Sequence, residues 1–156
     1  MHNLFTMDNF DKKILEVLQQ NNRLSSLELG EKIGLSATAC QRRLKKLRQS
    51  GVISKEAAVL NPVVFNNYVT VIVEVVMKQG GTESIASFKQ RMLAHEHVQQ
   101  CYYVAGNSDF ILVITAPNMP TYERLTNVLF LCDKNIQKFH SSVVMDNVKA
   151  GLNIPV

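Results

Sequence analysis

The sequence predicts an α+β chain in two parts, a helical first third followed by a longer portion in which strands and helices alternate. Three observations carry this. Apolar residues recur at helical spacing from Phe10 to Leu47, and from Val69 onward strand-like alternation takes turns with helical stripes. The charge also divides with the pattern: residues 1–56 hold ten Lys/Arg against six Asp/Glu, the whole of the net +4, whereas residues 57–156 hold seven of each. With 156 residues and 46% apolar content, the chain can bury one medium core or two small ones.

Asp8 is placed to cap a first helix whose apolar residues Phe10, Ile14, Val17 and Leu18 run to about Gln20, before Asn21 and Asn22. Ser25 or Ser26 can cap a second, short helix carrying Leu27, Leu29 and Ile33, with Gly34 after its last turn. Ser36 opens a third helix that ends near Gln49, stopped by Gly51. Short helix, glycine-containing turn and longer helix make the helix-turn-helix outline. Val52, Ile53 and the run from Ala57 to Leu60 suit a short extended wing, and Asn61 with Pro62 opens a linker. The expected domains are 1–56, a linker over 57–67, and 68–156.

The third helix sorts its residues by face. At 100° per residue, Ala37, Cys40, Leu44 and Leu47 share one stripe, the buried side. Thr38, Ala39, Arg42, Lys45, Lys46 and Gln49 fall opposite, flanked by Gln41 and Arg43. On charge alone this suits either a solvated helix face or an anionic partner. The face gives the second reading a shape, because a helix fits the major groove of duplex DNA. Thr38, Gln41 and Arg42, near the helix start, are candidates for base edges, while Arg43, Lys45, Lys46 and Arg48 are candidates for phosphates. Ser36 stands beside the free N–H groups of the helix start, where a phosphate is also accommodated. Cys40, on the buried stripe, reads as a core residue.

In the longer portion, alternation over Val69 to Met77 marks a strand with one apolar face, broken at Gly80 and Gly81. A helix follows from about Ser84 to Ala94, burying Ile85, Phe88 and Met92, then strands over Val98 to Val104 and Phe110 to Thr115 around a Gly106-Asn107-Ser108-Asp109 turn. Asn118 and Pro120 open a second helix with Tyr122, Leu125, Leu129 and Cys132 inward, and Phe139 to Val148 is the last strand. The order βαββαβ is that of the ferredoxin-like split βαβ fold, which puts both helices on one face of its sheet. Phe110 to Ile114, Val143 and Val144 supply apolar side chains to the other face too. A second copy, sheet against sheet, is the economical cover, so a homodimer is expected.

A family resemblance runs through these residues. Asp11-Lys12-Lys13-Ile14-Leu15, Arg23-Leu24-Ser25, Gly34-Leu35-Ser36, Arg43-Leu44, Leu47, Gly51-Val52-Ile53 and Leu60-Asn61-Pro62 resemble the N-terminal winged helix-turn-helix of the Lrp/AsnC transcription regulators. Ser36 to Cys40 departs from the pattern in lacking the prolines many members carry there. Val104-Ala105-Gly106-Asn107-Ser108-Asp109-Phe110 looks like the family's V-x-G-x-x-D-Y loop, with Phe for the usual Tyr. The resemblance implies a regulatory half that dimerises, often builds tetramers or octamers, and binds an amino acid at subunit interfaces. The matching positions are Gly106, Asn107, Ser108, Asp109, Met119, Ser142, Val143 and Val144. By composition alone the Gly-Asn-Ser-Asp stretch is equally a hairpin turn. As a ligand loop, Asp109 would take the ammonium and the Gly106-Asn107-Ser108 backbone the carboxylate of an amino acid.

The expected function is therefore sequence-specific transcription regulation on double-stranded DNA, with an architectural, DNA-wrapping protein of the nucleoid type as the alternative. An enzyme is not expected: the chain has no GxxxxGK loop, GxSxG elbow or paired-carboxylate motif. No metal or other cofactor is expected either, since His95 and His97 would point about 200° apart on a helix, and His2 and His140 have no supporting partners. Cys40, Cys101 and Cys132 form no CxxC pair. No apolar stretch reaches the ~20 residues of a membrane span, and Met1 to Phe10 does not read as an export signal. A cytoplasmic location with no membrane partner is expected.

Overall fold

A computed structural model describes residues 6–65, 68–78 and 81–156, leaving Gln79, Gly80, the end of the expected linker and the first five residues outside the described part. The chain forms two compact units, one comprising the chain up to Val59 together with Ala150–Val156, the other Leu60–Lys149. The sequence reading places 150–156 in the second domain; the structure groups them with the first, because Val156 packs on its core and Ile154 is hydrogen-bonded to Gln19.

The first unit holds α1 (Asn9–Gln20), α2 (Ser26–Ile33) and α3 (Ala37–Gln49). Their starts are chemically specified. Asp8 accepts from the Asp11 N–H while the Asp11 carboxylate accepts from the Asp8 N–H, and Ser25 and Glu28 do the same for α2. The Ser36 hydroxyl accepts from Ala39 N–H at the start of α3, and Gly34 ends α2 at φ 77°. Ile14, Leu15, Leu29, Ile33, Cys40, Leu44 and Leu47 form the core. The expected wing strand does not form among the described residues. After Ile53, whose N–H donates to Leu47 O at 3.2 Å, no strand among the described residues of this chain pairs with the segment, and Val59 stands 98% exposed.

These caps carry a pH dependence. The Asp11 N–H foremost, then Arg43, holds the Asp8 carboxyl below its ordinary range, and the Ser25 hydroxyl and N–H do so for Glu28. A carboxyl lowered only in the folded state adds stability in full above its unfolded pKa, and that stability is lost as pH falls through the folded value. The melting temperature of the first unit is therefore flat from pH 7 to 5 and falls below about pH 4. In the double variant Asp8→Asn, Glu28→Gln the fall is shallower; an equally steep fall would remove these caps as its cause.

The second unit begins with one 3-10 turn, Pro62–Phe65. Then come β1 (Val69–Met77), α4 (Thr82–Ala94), β2 (Val98–Tyr103), β3 (Phe110–Ala116), α5 (Met119–Thr126) and β4 (Ile136–Val143). The sheet order is β2-β3-β1-β4, antiparallel throughout, which is the expected split βαββαβ arrangement. Val71, Val73, Val75, Leu112 and Ile114 face the helix side with Phe88 and Met92, all buried. Two expectations shift. β4 runs Ile136–Val143 instead of 139–148: its ladder with β1 closes where Val143 lies opposite Val71 and Val144 N–H donates to Thr70 O. α5 passes into a π turn, Asn127–Leu131, which buries Leu129 and Phe130, and the chain leaves the helix at an exposed Cys132.

Candidate functional site

Three of the four residues assigned to the core stripe of α3 are buried, Cys40 and Leu47 at 0% and Leu44 at 6% exposure, while Ala37, in the first turn, is half-buried. Burial also raises the Cys40 thiol pKa, so it is a packing group without nucleophilic character. On the opposite side Thr38, Gln41, Arg42, Lys45, Lys46 and Gln49 are exposed together. Ser36, exposed beside them, spends its hydroxyl on the helix cap.

Arg43 and Arg48, both among the candidate residues, are held by carboxylates. Arg43 turns away from the exposed row toward α1, where Nη1 stands 2.7 Å from Asp8 Oδ2 and donates to Asp11 Oδ1 at 2.7 Å. Its guanidinium also lies 5.6 Å from the centre of the Phe10 ring. Asp11 is 5% exposed, so this pairing is the internal partner of a buried charge. Arg48 is bidentate with Glu56, Nε to Oε2 at 3.2 Å and Nη2 to Oε1 at 2.8 Å, in an exposed position. Helix spacing placed both arginines near the cationic ridge; it could not show acids contributed by other segments.

Sequence reasoning also missed Gly30. Inside α2 its carbonyl accepts from both Gly34 N–H and Leu35 N–H, and a Cβ there would lie 2.3 Å from Leu35 O. A glycine within a short helix, at a propensity cost of ~1 kcal/mol, was the available signal. The turn between α2 and α3 closes directly upon it.

In the second unit the expected ligand residues form two separate groups. Asp109 N–H donates to Val75 O, and its Oδ2 accepts from Met77 N–H at 2.7 Å, so one carboxylate oxygen is committed to the end of the sheet. Ser108, 9% exposed, donates to Glu74 Oε2 at 2.9 Å. Gly106 and Asn107 are exposed, and a Cβ at Gly106 would meet nothing within 4 Å. At the other end of β1, Val144 is bonded to Thr70, Ser142 lies opposite Ile72, and Met119 follows the Val69–Ala116 pairing. Thr70 and Val75 are about 17 Å apart along a strand. One chain therefore cannot close both groups around a single small molecule.

The set-aside histidines have local roles: His97 Nδ1 lies 2.8 Å from Thr115 O, and its ring stands 5.8 Å from that of His95. No group of three metal-ligating side chains occurs among the described residues, and no described helix is long and apolar enough to cross a membrane.

Comparison with known proteins bears on both halves. Residues 7–54 match a winged helix-turn-helix DNA-binding family, and residues 70–154 match the Lrp/AsnC ligand binding domain. An HTH-type transcriptional regulator of Sinorhizobium fredii is 41% identical over 96% of this chain and 89% of its own. The leucine-responsive regulatory protein of Escherichia coli is 32% identical over 92% of this chain and 87% of its own. Among solved structures, an AsnC family transcriptional regulator from Agrobacterium tumefaciens superposes with a TM-score of 0.88 at 30% identity, covering 96% of this chain and 97% of that one. A Neisseria meningitidis transcriptional regulator in complex with L-Met superposes at 0.89 with 29% identity over the same shares. These relatives are regulators, which favours regulation over the architectural alternative.

Proposed function

Because this chain belongs to the Lrp/AsnC family of DNA-binding transcriptional regulators, which are not enzymes, we propose that it binds a two-fold-symmetric DNA site as a dimer and answers to an amino acid held between subunits. The exposed row on α3 carries the DNA reading. Thr38, Gln41 and Arg42 are its base-edge candidates and Lys45 and Lys46 its phosphate contacts, on a helix oriented by a buried stripe. Arg43 is a positioning residue for α3 through Asp8 and Asp11, while Arg48, in an exposed pair with Glu56, stays a phosphate candidate. Selection from random duplexes tests the proposal. An inverted repeat with half-sites about one helical turn apart is the expected product; recovery without any symmetric motif would refute it. Such a regulator works in the cytoplasm.

Dimerisation is supported by the sheet face away from the helices. There Ile72 is 40% and Tyr102 50% exposed, with Val76, Ile111 and Val113 half-buried beside them. A second copy covers this face, and larger rings such as tetramers or octamers build on that dimer. The ligand reading rests on the division of the loop site. With Gly106–Asp109 at one end of β1 and Met119 with Ser142–Val144 at the other, a second subunit must supply the missing group. Asp109 retains one oxygen for an ammonium, and the exposed Gly106-Asn107 backbone is available to a carboxylate.

Gly106 gives the test that spares the fold. Its φ is not left-handed and no atom of its own chain crowds it, so nothing within one chain requires glycine there. Gly106→Leu therefore leaves the melting temperature unchanged and abolishes the calorimetric heat that L-methionine or another free amino acid gives with the wild-type protein. Absence of heat from every common amino acid with the wild type would sink the ligand reading, and undiminished heat in the variant would move the site elsewhere.

A further inference from the structure

We propose that residues 150–156 are a clasp on the DNA-binding unit, seated on the C-terminal end of α1 and fixing how far that unit can travel. The seat is built around one amide. Gln19 Nε2 donates to Ile154 O at 2.9 Å while Ile154 N–H donates to Gln19 Oε1 at 2.7 Å, the two-pronged pairing that an amide side chain offers an extended backbone. Asn153 Nδ2 donates to Gln19 O at 3.3 Å, and Val156 packs on the first unit's core. Ile154 is itself 67% exposed, so the seat reads main chain and leaves that side chain in water.

The consequence lies in connectivity. Five residues separate Val144, the last residue hydrogen-bonded to β1, from Ala150. The DNA-binding unit is thus joined to the second unit by two stretches of chain, at Val59–Leu60 and at Lys149–Ala150. The second stretch starts beside Ser142, Val143 and Val144, the group proposed above to close a ligand site. α1 carries the clasp at its C-terminal end and the Asp8 and Asp11 carboxylates that hold Arg43 of α3 at its N-terminal end. A change at the end of β4 has a short covalent route to the helix that orients the DNA-contacting face.

The seating rests on the Gln19 hydrogen bonds alone, while its regulatory use rests on the dimeric DNA reading. Amide hydrogen exchange on the full chain tests the seating. The Ile154 amide exchanges at least tenfold more slowly than in an unstructured peptide, and Gln19→Leu returns it to that rate without loss of protection in α1 and α3, whereas Gln20→Leu, one residue along, has no effect. Unprotected Ile154 in the wild type overturns the clasp. Binding to inverted repeats of varied half-site spacing tests the use: Gln19→Leu lowers the preference for the best spacing over its neighbours by threefold or more. An unchanged preference overturns the regulatory role. A wild type that binds no inverted repeat shows instead that the dimeric reading has failed, and the exchange result stands apart from it.

Discussion

Gly30→Ala destabilises the first unit and weakens specific DNA binding while leaving the second unit folded. The added methyl would sit 2.3 Å from the Leu35 carbonyl oxygen, well inside van der Waals contact, and that oxygen belongs to main chain that cannot rotate aside. Relief requires the turn from Gly34 to Ser36 to move. The two hydrogen bonds that Gly34 N–H and Leu35 N–H give to Gly30 O hold the turn in place, and both weaken if it does. Overpacking of this kind costs about 1–3 kcal/mol before lost hydrogen bonds are added. A unit of this size has only ~5 kcal/mol in total. Calorimetry is expected to show the first unit's melting transition lowered by roughly 10 °C or more, with the second transition in place. An unaltered first transition would mean that the turn does not close on Gly30 as described.

Val113→Asp converts the protein to monomers and lowers DNA affinity by about two to four orders of magnitude. Val113 lies opposite Ile72 in the β1–β3 ladder, on the open face of the sheet with Ile111, Val76 and Tyr102. A carboxylate there must lose its water when a second sheet covers it, and the basic groups that β4 puts on this face, His140 and Lys138, lie opposite Glu74 and Val76, further along β1 than Ile72. His140 is the nearest candidate along β4, and it lies opposite Glu74, which already accepts from Ser108. Once the dimer is lost, two half-sites no longer bind as one, and the effective-concentration advantage of ~10²–10⁴ disappears. Sedimentation velocity at micromolar protein and DNA titration in parallel measure both effects. A variant that stays dimeric would place the interface on another surface.

The parts of the fold governed by local chemistry were legible in the sequence. Asp8, Ser25 and Ser36 each announce a helix start, Gly34 a stop, and alternation from Val69 to Met77 a strand. Each depends on atoms within four residues or on the period of one element. What escaped depends on distant partners. The wing strand does not form among the described residues, because a strand needs a neighbour to pair with and nothing within the segment itself supplies or reveals one. β4 ends at Val143, where its ladder with β1 closes opposite Val71, a limit set across the sheet. Arg43 looked like a phosphate contact from its place on α3, yet Asp8 and Asp11, more than thirty residues earlier, claim it. The ligand loop was visible as a motif, but its distance from Met119 and Val144 follows only from the strand register.

The salt dependence of DNA binding, compared among wild type, Lys45→Ala and Arg43→Met, tests the central claim that duplex DNA lies against the exposed face of α3. The wild-type affinity falls steeply with salt, and Lys45→Ala reduces the slope of log K against log salt by about 0.9, the value of one phosphate contact. Arg43→Met weakens binding through the orientation of α3 and leaves that slope unchanged. A slope that Lys45→Ala does not alter, or an affinity indifferent to salt in the wild type, would contradict the account.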